Sequence, residues 1–254
     1  MTEYSFAQSD ARGRERLAGI AAAMDPGTFA LLEELGIAEG DYCAEVGAGA
    51  GTVIDWLVTR VGDDGSVVAT DIDTRWLKGR GWPNVDVRVH DIAMEPLDNE
   101  AFDLVHTRTV LTHLRDWQSA IDHLIGATRP GGTVLVEETD MSPLGRCYPE
   151  EPAVDRFCRG LEALIRFGGG DPHLGLRLPK ALREAGLSDV SYQVRLLPAD
   201  GPTMRLQLDA AAERLMAIGQ LSPEDVERAA AFYADPDNVL YGTAIVAAWG
   251  RRPR

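Results

Sequence analysis

Apolar residues along the 254-residue chain recur in two rhythms. Leu17, Ile20, Ala21 and Met24 fall at helical spacing over residues 13–24. Asp25-Pro26 then reads as the N-cap and first position of a second helix, with Phe29, Leu31, Leu32 and Leu35 inward and Gly36 as its stop. From there short apolar runs alternate with amphipathic stretches. Runs at 42–46, 67–71, 85–89, 102–105 and 133–136 predict five strands, with helices at 52–58 and 117–127 and a short one at Trp76-Leu77. Beyond residue 141 the pattern turns helical: 154–167, 178–185, 203–218 and 223–233 predict helices, the last capped by Ser222. Alternating residues at 190–197 and 243–249 add a sixth and a seventh strand. This alternation predicts an α/β fold, a mostly parallel sheet with helices on both faces.

No repeat, low-complexity tract or clean linker divides the chain, which predicts one domain over 1–254. Within it, 1–37 reads as an N-terminal helical cap and 38–140 as the strand–helix core. Residues 141–180 and 200–236 read as helical lid insertions around the last strands. The run Gly168, Gly169, Gly170 is a stop and a candidate hinge.

Composition narrows the classes. Hydrophobic content of 45% and charged content of 26% suit a globular enzyme. A net charge of −15 argues against a nucleic-acid partner, since phosphate binding draws on clustered Lys and Arg. The only basic clusters are short: Arg12, Arg14 and Arg16, and Arg251, Arg252 and Arg254. No apolar run is long enough to span a bilayer and the start is too polar for a signal peptide, so the expectation is a cytoplasmic protein without a membrane partner. Cys43, Cys147 and Cys158 have neither metal nor disulfide spacing, and no metal site is expected.

The chemistry gathers at strand ends. Glu45-Val46-Gly47-Ala48-Gly49-Ala50-Gly51 joins the first strand to a helix start, where glycines admit unusual dihedrals and helix N–H groups face outward. Asp71, Asp91, Thr107-Arg108, and then Glu137, Glu138 and Asp140 close the next four strands, which is where an open α/β sheet keeps its ligand crevice. An acid twenty positions after the last glycine suits the hydroxyls of a ribose.

These motifs resemble the class I S-adenosylmethionine-dependent methyltransferases over about residues 40–140, and by look the ubiquinone/menaquinone-type and natural-product small-molecule enzymes. The resemblance implies a Rossmann-like seven-stranded sheet with an antiparallel last strand. It implies a cofactor site at Glu45, Gly47, Ala48, Gly49 and Gly51 for the methionine part of S-adenosyl-L-methionine. Asp71 would hold the ribose with Ile72 beside the adenine, Asp91-Ile92 would meet the adenine edge, and the backbone near Thr107 and Arg108 the methionine amine. Pro130-Gly131-Gly132 before the fifth strand also fits. S-adenosyl-L-homocysteine would be the product.

Methyl transfer asks mainly for alignment, with a base where the acceptor must lose a proton. His113 and, behind it, His106 are the catalytic candidates; Glu137, Glu138, Asp140 and His173 are candidates for lining the acceptor pocket. The stripe Phe157, Leu161, Leu164, Ile165 and Phe167, with Tyr4, Phe6, Leu17, Ile20 and Met24, suggests an apolar lid over a small acceptor of the natural-product kind. Asp103-Leu104-Val105-His106 stands where amino-methyltransferases carry Asn or Asp followed by Pro-Pro-Tyr, which counts against nucleic-acid base methylation. A nicotinamide dehydrogenase is the rival, but its third glycine falls on Thr52. A protein that binds the donor without transferring from it is the other alternative. The chain is expected to act as a monomer or homodimer.

Overall fold

The computed structural model describes residues 11–254; Tyr4, Phe6 and the side chains of Arg12, Arg14, Arg16 and Leu17 lie outside the described residues. In chain order the elements are α1 (Ala11–Glu34), β1 (Tyr42–Val46), α2 (Thr52–Val61), β2 (Ser66–Asp71), β3 (Val85–Val89), β4 (Phe102–Arg108), α3 (Trp117–Ala127) and β5 (Thr128–Asp140). There follow β6 (Cys147–Tyr148), α4 (Pro152–Phe167), α5 (Leu178–Glu184), β7 (Ser188–Pro198), α6 (Gly201–Ala217), α7 (Pro223–Ala234) and β8 (Val239–Arg251). The strands form one sheet in the order β3-β2-β1-β4-β5-β8, with β7 beyond β8 and the two-residue β6 on the start of β8. The five strands from β3 to β5 are parallel, and β8 runs antiparallel to β5. The short β6 is an eighth strand that its two residues give no periodicity to reveal.

Both faces of the sheet are covered, so central strands bury side chains in both directions. On one face α1 and α2 set Leu31, Leu32, Ile54 and Leu57 against Cys43, Leu104, Leu135 and Ala247. On the other, α3 and α5 set Ile121, Leu124, Leu178 and Leu182 against Ala44, Val105, Val134 and Val136. The helices α4, α6 and α7 share a separate core built from Phe157, Leu161, Leu164, Leu208, Leu215 and Phe232. Asp116 caps α3 by accepting from the Ser119 N–H, and Ser222 caps α7 in a reciprocal box with Asp225.

Three expectations are corrected. The two N-terminal helices are one, α1, continuous through Pro26. Asp25 does not cap a new helix; its carboxylate is drawn to Arg108 and Thr52 instead. Phe167, at the last turn of α4, also leaves the apolar stripe and points to solvent.

Candidate functional site

The turn after β1 is held open by its backbone. Gly47, Gly49 and Gly51 all have positive φ, at +74°, +52° and +82°. The N–H groups of Gly47 and Ala48 donate to Thr70 O on β2, at 2.8 and 2.9 Å. A Cβ on Gly47 would run into Val110, and one on Gly51 would press on Trp82 and Leu77. At Gly49 a Cβ would meet nothing nearer than Gly47 O at 4.0 Å, so the turn is packed at both ends and open in the middle. Behind it α2 begins without a side-chain cap, leaving its first N–H groups free of one.

Asp71, at the end of β2, sits beside that opening. Its Oδ2 accepts the Gly49 N–H at 2.8 Å and its Oδ1 the Asp73 N–H at 2.9 Å. Burial pushes the carboxyl above its usual range, against the pull of those donors. Ile72, next to it, is 56% exposed, an apolar surface at the rim. Asp91 is exposed and accepts from the Ala93 N–H at 3.0 Å. Its neighbour Ile92 corrects the expectation: its side chain is buried in the core with Leu97 and Phe102, because the chain turns inward there, so it offers a ligand no side-chain surface.

The end of β4 joins this crevice to a second space. Thr107 is buried and donates through Oγ1 to Val46 O at 2.9 Å, fastening β4 to β1. Thr109 follows with φ +55°, a strained conformation for a β-branched residue. Val110 then packs on Gly47, and Leu111–His113 form a single 3-10 turn. Glu138 fixes that turn: Oε1 accepts the N–H groups of Val110 and Leu111 at 2.9 and 2.6 Å, and Oε2 that of Thr112 at 3.2 Å. Burial raises the Glu138 carboxyl to about 8, in opposition to those three donors. Gly170 crowds the same turn so closely that a Cβ there would strike Thr112 O.

Beyond the turn lies a cavity of about 250 Å³. Its walls are α1 (Ile20, Ala23, Met24), the β4 turn (Thr109, Thr112, His113), α4 (Leu161, Ile165), α6 (Thr203, Met204, Gln207) and the ends of β5 and β8 (Thr139, Met141, Thr243, Ile245). Most of the lining is apolar. Hydroxyls of Thr109, Thr112, Thr139, Thr203 and Thr243, the amide of Gln207, the imidazole of His113 and Asp200 supply its polarity, and among the described residues no Lys or Arg lines it.

His106 and Glu137 lie elsewhere, in a buried seam between the sheet and α1. Glu45 on β1 and His106 on β4 are register partners, and Glu45 Oε2 is 2.5 Å from His106 Nδ1. His106 Nε2 is 3.4 Å from Glu137 Oε2, which also accepts from Thr28 Oγ1 at 2.5 Å. Arg195 of β7 donates to Glu137 Oε1 at 2.5 Å. Arg108 completes the seam, donating to Thr28 Oγ1 at 2.9 Å and to Asp25 Oδ1 at 2.8 Å. Burial alone would push the His106 imidazole down, but the Glu45 and Glu137 carboxylates override it and raise it to about 9. Burial opposes the charge on Glu137 as well, yet His106, Thr28 and Arg195 hold it below its usual range.

Several expected site residues therefore have other tasks. His106 has no exposed surface and both ring nitrogens face carboxylates, so it does not reach an acceptor. Glu137 and Glu138 are fully buried on opposite faces of β5, one in the seam and one under the β4 turn, and neither lines the cavity. Asp140 and His173 pair with each other at 3.0 Å, and Glu162 of α4 lies 3.4 Å from the far nitrogen of His173. That cluster ties α4 to the end of β5 outside the cavity lining. Of the candidates, His113 alone stands on the cavity wall. Asp25, Thr28, Arg195, Thr109 and the α6 side chains were not readable as site residues, since no local motif marks them. Among the described residues no group of three or more His, Cys, Asp or Glu is placed to hold a metal ion, and no helix is long and apolar enough to cross a membrane.

Comparison with known proteins follows the same lines. The model of the family described as "Methyltransferase domain" matches residues 17–191. Methyltransferase str2 of Strobilurus tenacellus is 32% identical over 170 residues, covering 61% of this chain and 58% of that protein. The chain thus spans less than two thirds of that relative. Methyltransferase str3 of the same organism is 27% identical over 245 residues, 89% of this chain and 84% of the other. Among solved structures, phosphoethanolamine N-methyltransferase 2 of Haemonchus contortus, in complex with phosphomonomethylethanolamine and S-adenosylhomocysteine, shares the fold. Its TM-score is 0.58 at 16% identity, over 90% of this chain and 53% of that one.

Proposed function

The chain belongs to the methyltransferase-domain family, and we propose that it binds S-adenosyl-L-methionine over the glycine turn and transfers the methyl group to a small molecule in the cavity. One observation carries this reading. Val110 packs on Gly47, while Thr109 before it and Thr112 and His113 after it line the cavity, so the two spaces are one residue apart. A donor and an acceptor could meet across the β4 turn.

In this reading Gly47, Ala48, Gly49 and Gly51 cradle the methionine part, with room for it above Gly49. Glu45 and the backbone at Thr107 and Arg108 border that part. Asp71 holds the ribose hydroxyls with the oxygen lone pairs its two N–H donors leave free, Ile72 covers the adenine, and Asp91 with the backbone at Ile92 meets its edge. Bound S-adenosylmethionine supplies a methyl group already activated on a sulfonium, and S-adenosylhomocysteine leaves. The cavity walls orient the nucleophile and exclude water, which supplies most of the rate. His113 accepts the proton that an acceptor hydroxyl or amine gives up as its bond to the methyl carbon forms. An apolar acceptor of the natural-product kind, without an anionic group, suits walls among whose described residues no Lys or Arg stands. The domain acts as one unit, cap, core and lid together, in the cytoplasm as a monomer or homodimer.

Calorimetric titration with S-adenosylhomocysteine and with NAD tests the donor. Binding of the former and not the latter is expected, and binding of NAD alone would overturn the reading in favour of a dehydrogenase. Incubation with methyl-labelled donor and a panel of phenols, amines and activated carbon acids tests transfer. Label in at least one neutral acceptor is expected; donor binding with no label in any would favour a protein that only binds the donor.

A further inference from the structure

The buried seam under the glycine turn supplies no group to the chemical step just described, yet it runs from the donor crevice to the helix that walls the cavity. At one end is Glu45, two residues before Gly47, with 3% of its side chain still exposed. At the other is Thr28 on α1, the helix whose Ile20, Ala23 and Met24 wall the cavity. Between them stand only His106 and Glu137, at 2.5 and 3.4 Å from ring nitrogen to carboxylate oxygen.

We propose that His106 is a positioning residue that couples donor binding at Glu45 to the docking of α1 over the acceptor cavity. Its ring shares one plane, so a shift of the Glu45 carboxylate at Nδ1 turns Nε2 as well. That turn moves the acceptor that Glu137 offers to Thr28. Arg195 steadies Glu137 from β7 at 2.5 Å, leaving the Oε2 side as the one free to respond. A packed polar network has few satisfactory arrangements, and small shifts at one end are felt at the other. Donor binding therefore closes α1 on the acceptor, and a docked α1 holds the donor more tightly, by the same factor.

The inference rests on Glu45 bordering the donor, as proposed above. A double-mutant cycle on the full chain tests it, with S-adenosylhomocysteine affinity measured by calorimetry for the wild type, Thr28→Val, His106→Gln and the pair. Thr28→Val keeps the side-chain shape and removes the hydroxyl. It is expected to weaken binding at least fivefold in the wild type and less than twofold in the His106→Gln background. Equal weakening in both backgrounds, or none in the wild type, overturns the coupling. Should His106→Gln not fold, hydrogen exchange over residues 18–34 decides. Ligand is expected to slow exchange in the wild type and not in Thr28→Val; equal slowing in both overturns the coupling. A wild type that binds no S-adenosylhomocysteine overturns the donor reading and the coupling together, whereas binding with additive losses overturns the coupling alone.

Discussion

Arg195 occupies the space that a side chain on Gly27 would fill. A glycine inside a helix costs about 0.5–1 kcal/mol relative to alanine, and α1 carries it so that the guanidinium can pass to Glu137. Gly27→Ala should push Arg195 aside and leave a fully buried carboxylate with His106 as its remaining cationic partner. We expect a loss of about 1–3 kcal/mol in urea denaturation, below the full cost of breaking a buried pair because the helix itself gains. In an Arg195→Ala background the same change should be neutral or stabilising by up to about 1 kcal/mol. A loss of equal size in both backgrounds would show that Arg195 is not the cause.

At the crevice, Gly47→Ala meets two obstacles: a φ of +74° and the methyl of Val110. Affinity for S-adenosylhomocysteine should fall more than tenfold, about 1.4 kcal/mol or more. Gly36→Ala is the control, with φ +81° and open space around it. It should cost about 1–2 kcal/mol of stability through strain alone and leave affinity within twofold.

Asp71→Asn keeps the size of the side chain but replaces one acceptor oxygen with a donor. Either the Gly49 or the Asp73 N–H then faces an amide NH₂, and the ribose loses a charged acceptor. Calorimetry should show affinity for S-adenosylhomocysteine reduced about tenfold, as expected for a charge-assisted hydrogen bond.

His113→Gln should lower the rate of transfer to an ionisable hydroxyl acceptor about 10²–10⁴-fold while leaving donor affinity within twofold. The loss should shrink for an acceptor already ionised at the assay pH. Equal losses for both kinds of acceptor in steady-state assays would assign His113 a packing role.

Stability should fall on the alkaline side. His106 is held at about 9, above the value near 6.5 of an unfolded chain, so its contribution is complete below 6.5 and lost as pH rises toward 9. The shift corresponds to about 3 kcal/mol at most. Glu138, held at about 8, acts with the same sign over a lower window, since folding favours its protonated form. Glu137 is shifted the other way, and its contribution is lost as pH falls. Urea midpoints should therefore decline from pH 6.5 to 9.5, and His106→Gln should flatten the decline. A wild-type midpoint constant across that range would mean that His106 is neutral in the native state.

What the sequence made legible was local. Glu45 to Gly51, Asp71 and the strand–helix alternation each announce themselves within a few residues, and the alternation points to a parallel sheet. The seam did not, because Thr28 and Glu137 are 109 residues apart and Arg108 and Asp25 are 83 apart. Asp25-Pro26 carries the local signature of a helix start, and only tertiary partners turn Asp25 to a different use. Glu137 and Glu138 read as acceptor-pocket residues at the end of the fifth strand for a similar reason. A strand rarely buries an acid, and here each is kept by partners the local sequence does not show, a His and an Arg for one and three backbone N–H groups for the other. Residues 200–236 read as a lid, but which α6 side chains reach the cavity was not readable, since Thr203 and Gln207 follow no catalytic spacing.

The seam also imposes an order on how the chain becomes whole during synthesis. By the time β4 has emerged, every residue of the glycine turn and its Asp71 support exists, and α1 can pack on α2 and pair Asp25 with Arg108, but Thr28 still lacks its Glu137. Glu137 comes with β5, and its cation Arg195 only with β7. A nascent chain that stops short of β7 would hold the donor crevice with Glu137 buried beneath α1 and lacking its guanidinium. The contacts beneath the first helix are thus completed by one of the last strands.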